Sequence, residues 1–133
     1  MLSKFSLATC FLFGLLLAGC GPRPVTGGTT GTLRAGGELL GEIQVNVHKL
    51  EGSTLKLIGF GVTREDGTFQ LVQPGAAGNL WLNPGEYRFT VESVGAPYAF
   101  PDEYTKPETT PLKTVWPSSG NVLALEIPAQ FVP

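Results

Sequence analysis

The chain has 133 residues, of which 42% are hydrophobic, with nine Lys or Arg against eleven Asp or Glu, one histidine and two cysteines. That length supports one domain with one core, and the slight acidic balance argues against nucleic acid or anionic headgroups as partners, both of which select a basic face. One histidine and two cysteines are too few for a His-rich or Cys-rich metal centre, so neither metal nor cofactor is expected.

The first twenty residues divide into three parts. Met1-Leu2-Ser3-Lys4 carries one positive charge, Phe5 to Leu17 is almost wholly apolar, and Leu17-Ala18-Gly19-Cys20 ends the run. A charged start, a short apolar stretch and small residues at its end describe a secretory signal. A membrane-spanning helix needs about 20 apolar residues, and Gly21-Pro22-Arg23-Pro24 breaks the helix first. The segment Leu17-Ala18-Gly19-Cys20 resembles the bacterial lipobox. The resemblance implies cleavage between Gly19 and Cys20, with acyl chains carried on the sulfur and the amine of Cys20. Two or more chains anchor a protein firmly, because each buried methylene contributes about 0.8 kcal/mol. Gly21, where an aspartate would retain the protein in the inner membrane, resembles the choice that sends Gram-negative lipoproteins to the outer membrane. Residues 1–19 are thus expected to be a signal peptide, 20–30 a lipidated cysteine with a Gly, Pro and Thr-rich tether, and 31–133 the folded domain. From Cys20 onward there are eight basic and eleven acidic residues and no second cysteine, so the domain has no disulfide to rely on.

Strand-like runs then recur between turn signals. Thr32-Leu33-Arg34 is a first strand, ended by Gly36-Gly37. Ile43, Val45 and Val47 alternate with Gln44, Asn46 and His48, the period of a strand with one buried face. Leu57 to Thr63 is a second apolar run, interrupted by Gly59 and Gly61. Glu65-Asp66-Gly67-Thr68 is a hairpin-type turn leading into Thr68 to Val72. Asn83-Pro84-Gly85-Glu86 is a tight turn in which Gly85 is expected to take a left-handed conformation. Tyr87, Phe89 and Val91 alternate after it. Gly95 to Pro111 reads as an ordered loop over the sandwich, and Leu112 to Trp116 with Val122 to Ile127 as a last hairpin across residues 117–121. Seven short strands at this spacing predict an all-β fold, a single antiparallel sandwich.

Several of these segments match one pattern in order. Val25-Thr26-Gly27 with Thr32-Leu33, then Gly36 to Gly41 and Ile43-Gln44-Val45, resembles the opening of carboxypeptidase-regulatory-like domains. Thr63-Arg64-Glu65-Asp66-Gly67-Thr68-Phe69 is similar to their "T-D-x-x-G-x-F" turn, with Arg64 in place of the usual aspartate. Pro84-Gly85-Glu86-Tyr87 is similar to their "P-G-x-Y" turn. Pro101 to Tyr104, Thr109 to Leu112 and Gly120-Asn121-Val122 resemble the tail of a set of small bacterial lipoproteins. The resemblance implies a transthyretin-like, seven-stranded Greek-key β-sandwich and no particular activity. A transthyretin-like purine-pathway hydrolase carries several histidines and a C-terminal Tyr-Arg-Gly-Ser, and this chain has neither.

Candidate chemistry is sparse. His48 shares the polar face of its strand with Gln44 and Asn46, so it is expected to be solvated or at a rim. Glu65-Asp66 and Asp102-Glu103 offer oxygen ligands but too few per loop for calcium. Trp81, Tyr98, Tyr104 and Trp116 fall in or beside loops, where aromatics next to polar groups can stack on sugars or peptides. The expectation is a non-catalytic, lipid-anchored protein of the cell envelope, a structural module or one that meets an envelope protein or polysaccharide. Its alternative is a small-ligand or glycan-binding lipoprotein that uses those four aromatics. The only other partner expected is the membrane, through the lipid on Cys20.

Overall fold

The computed structural model describes residues 27–95, 98–117 and 122–128. Cys20, the signal segment and most of the expected tether lie outside the described residues. Among the described residues, eight strands form two sheets: β1 (Thr30–Ala35), β2 (Glu38–Leu39), β3 (Ile43–Glu51), β4 (Thr54–Val62), β5 (Thr68–Gln70), β6 (Gly85–Ser93), β7 (Lys113–Trp116) and β8 (Leu123–Ile127). In one sheet β1 is central, with β2 and β5 along one edge and β8 along the other; the second sheet has the order β4-β3-β6-β7. The all-β expectation holds.

Period-2 alternation builds the core between the sheets. Leu33 and Ala35 of β1, Ile43, Val45 and Val47 of β3, Phe69 of β5, Tyr87, Phe89 and Val91 of β6, and Leu123, Leu125 and Ile127 of β8 are all buried in one cluster. Each fully buried side chain of this size contributes roughly 1.5–3 kcal/mol relative to exposure. Gly59 and Gly61 fall on the inward positions of β4. A Cβ at Gly59 would meet the Val72 carbonyl oxygen at 2.3 Å. Their small size lets residues 70–72 lie directly on β4, where Phe60 and Val72 exchange backbone hydrogen bonds of 3.0 and 2.8 Å.

The turn at Gly67 forms locally as its residues predict, but it does not close a hairpin: it carries the chain from β4 in one sheet to β5 in the other, which pairs with β1. Gly67 has φ 74, its N–H donates to the Arg64 carbonyl at 2.8 Å, and the Asp66 carboxylate accepts from the Thr68 N–H and hydroxyl at 3.0 and 2.6 Å. Two acceptor bonds from Thr68 hold the Asp66 carboxyl below its ordinary titration range. Gly85 behaves differently from expectation. It is not left-handed but is the first residue of β6, paired with Trp116. The turn before it is held instead by Tyr87, whose hydroxyl donates to the Asn83 carbonyl at 2.6 Å.

Two further departures concern pairing. The Gly36-Gly37 turn returns the chain as β2, an additional strand that pairs Arg34 with Leu39 and Ala35 with Glu38. The expected last hairpin does not form: β7 pairs antiparallel with β6, whereas β8 crosses to the other sheet and pairs parallel with β1, from Gly31↔Leu123 to Ala35↔Ile127. Alternation in β8 puts Leu123, Leu125 and Ile127 inward, and the free edge of β1 lets them complete the core. The connecting residues 118–121 lie outside the described residues. Before β1, the Gly28 N–H donates to the Leu71 carbonyl at 2.8 Å and the Thr29 N–H to the Leu80 carbonyl at 3.0 Å, so these two residues, expected in a tether, are held in the fold.

Candidate functional site

Residues 98–112 run along β6 with a 3₁₀ turn at Asp102–Thr105. Thr110 is fully buried, and its hydroxyl donates to the Phe89 carbonyl at 2.7 Å. The Arg88 guanidinium reaches the Pro107 carbonyl at 3.3 Å. Tyr104 is buried within the core cluster, and Tyr98 and Phe100 pack against it with their ring centroids 6.3 Å apart. The segment therefore covers one flank of the second sheet, and Tyr98 and Tyr104 serve as packing there.

That cover changes the surroundings of His48, which is buried rather than solvated. The imidazole follows the outward alternation of β3, opposite Arg88 of β6 and Leu57 of β4, and the strap that binds Arg88 shuts it from water. Its Nδ1 is buried with no hydrogen-bond partner among the described residues. Desolvation lowers its pKa below the ordinary 6.5, against the opposing pulls of the Arg88 backbone and the Glu108 carboxylate. Sequence periodicity reports only which side of the strand His48 occupies, so it carried no signal for the overlying segment. Among the described residues, no three His, Cys, Asp or Glu side chains group to hold a metal ion. None of their helices is long and apolar enough to cross a membrane.

The second concentration of aromatics lies beside residues 27–30. Residues 27–30, Gln70, Trp81, Leu82 and Trp116 line a shallow cavity of about 550 Å³. Hydrogen bonds position its walls: Gly27 N–H donates to Gln70 Oε1 at 3.2 Å, and Leu82 N–H donates to Thr29 Oγ1 at 2.9 Å. Leu80 packs against the core and Leu82 is buried in it. Alternation between two held leucines therefore turns Trp81 outward, and it is 66% exposed. Trp116, at 9%, contributes only an edge to the same cavity.

The structure thus brings Trp81 and Trp116 together and leaves Tyr98 and Tyr104 on the other flank. Residues that sequence reasoning did not single out, Thr29 and Gln70, are the ones that set the cavity's walls. A smaller depression of about 300 Å³ lies on β6 and β7 and carries Glu86, Arg88 and Lys113. No protein-family model matches the chain, and neither a curated protein nor a solved structure matches it. The molecule is an all-β, two-sheet protein with an indole-bearing cavity that, among the described residues, no charged side chain lines.

Proposed function

We propose that the chain is a non-catalytic, lipid-anchored protein of the bacterial cell envelope, acting as a structural module or as an interaction module for an envelope protein or polysaccharide. The observation that carries this reading is Leu17-Ala18-Gly19-Cys20 at the end of an apolar run after a charged start. The all-β, two-sheet architecture is compatible with the resemblance to a carboxypeptidase-regulatory-like domain that this reading adopts. Seven strands of three or more residues occur, and β5 in the opposite sheet separates β4 from β6, which returns to lie beside β3. That path is consistent with a Greek-key, transthyretin-like sandwich, to which β2 is an addition.

The test is the mass of the protein recovered from bacterial membranes. The wild-type chain is expected to begin at Cys20 and carry diacylglycerol and an amide-linked acyl chain, and Cys20→Ala to carry neither. A wild-type chain without lipid overturns the anchor. A second reading, glycan or small-ligand binding, is favoured by the shared cavity of Trp81 and Trp116. It requires that soluble envelope glycans change tryptophan emission in the wild type and not in Trp81→Phe; an unchanged titration removes it.

A further inference from the structure

We infer that the Trp81 end of the sandwich is a bilayer-contact face, with the indole lying at the headgroup level of the membrane that holds the anchor. This rests on the reading of Cys20 as the lipidated residue, and it adds which surface of the domain meets the lipid. Six residues separate Cys20 from Gly27, whose N–H is bonded to Gln70 Oε1 in the domain. Whatever their conformation, they span at most about 25 Å. A domain of about 100 residues has a radius of gyration near 13 Å, so the tether is no longer than the domain it holds. Residues 80–82 are hydrogen-bonded to Thr29, two residues past Gly27. Trp81 is therefore built onto the part of the domain that the tether keeps nearest the bilayer.

The chemistry of the cavity favours lipid over sugar. Among the described residues, no charged side chain lines it. Two of its side-chain acceptors are already engaged, Gln70 Oε1 by the Gly27 amide and Thr29 Oγ1 by the Leu82 amide, which leaves the Gln70 amide N–H groups and the Thr30 hydroxyl as its polar complement. A glycan site needs several convergent groups free to bond its hydroxyls. An interfacial site needs an amphipathic ring whose apolar body enters the acyl boundary while its N–H stays among headgroups. Trp81 has that form, and the flanking leucines prevent it from folding back into the core. One indole holds a free protein weakly; at a tethered end, the anchor supplies a high effective concentration and the indole sets orientation.

The test couples the chain beginning at Cys20, which retains every described strand, through its thiol to maleimide lipids in phosphatidylcholine vesicles. This places the anchor chemically, so the outcome does not depend on lipidation in the cell. Vesicles carrying acyl chains brominated near the headgroup are expected to quench the emission and shift the remainder to the blue. In Trp81→Phe that quenched component is lost while the urea midpoint is unchanged, because the residue is exposed. The chain free in solution with the same vesicles is expected to be little quenched. Emission indifferent to brominated lipid, or equal quenching in Trp81→Phe, overturns the inference. So does emission that responds only to soluble envelope glycans. If lipid is missing from the membrane-derived protein yet the coupled chain is quenched, the anchor reading fails while the contact face stands.

Discussion

The Trp81 end and the β6 flank are built from similar materials and end in opposite states. Each is a proline- or glycine-rich segment bearing aromatics, and each is fastened by a buried threonine. Thr29 Oγ1 accepts from Leu82 at one end, and Thr110 Oγ1 donates to the Phe89 carbonyl at the other. Residues 98–112 lie lengthwise along β6, so their aromatics face the sheet and Tyr104 is buried. Residues 80–82 run extended beside the start of β1, so alternate side chains point away and Trp81 is left in solvent. The difference teaches that a loop aromatic's exposure follows from how its backbone is fastened, not from its sequence neighbourhood.

The comparison breaks first on stability. Tyr104→Ala is expected to cost about 3 kcal/mol or more, the range for deleting a buried aromatic ring, and urea unfolding reads it directly. Trp81→Ala is expected to stay within about 0.5 kcal/mol of wild type. Equal losses would erase the distinction between the two regions. Next in size, Thr110→Val leaves the Leu112 N–H and the Phe89 carbonyl short of a partner, which costs roughly 1–3 kcal/mol in the same measurement. Gly67→Val follows, at roughly 1 kcal/mol or more for a β-branched residue at positive φ, and an unchanged midpoint would count against that turn geometry. The smallest effect is a pH dependence confined to the covered flank. Because the folded pKa of His48 lies below 6.5, the unfolded chain takes up a proton first as pH falls. Stability is therefore expected to decline from about pH 6.5 down through the folded value and to level off below it, and His48→Leu is expected to remove that slope.

Much of the fold was legible because its cause is local. The alternations at Ile43-Val45-Val47 and Tyr87-Phe89-Val91 report burial through strand geometry alone. The turn at Gly67 needs only a residue tolerant of positive φ and the Asp66 carboxylate beside it. The candidate site was legible in part: Trp81 and Trp116 were singled out together, but with Tyr98 and Tyr104, which turn out to be packing. His48 was misread because outward alternation equals exposure only where nothing crosses the sheet, and Arg88 with residues 107–110 holds a strap there.

The all-β class, the inward residues of most strands and the run Leu17-Ala18-Gly19-Cys20, which resembles a lipobox, were legible in the sequence. Each of these depends on residues adjacent in the chain. That β8 leaves β7 to run parallel to β1, that Gly28 and Thr29 are bonded to Leu71 and Leu80, and that Trp81 faces outward beside a covered Trp116 emerged only in the tertiary structure. Those outcomes depend on partners dozens of residues away. Period-2 patterning names the face a residue occupies; it carries no information about which edge, strap or neighbour meets that face.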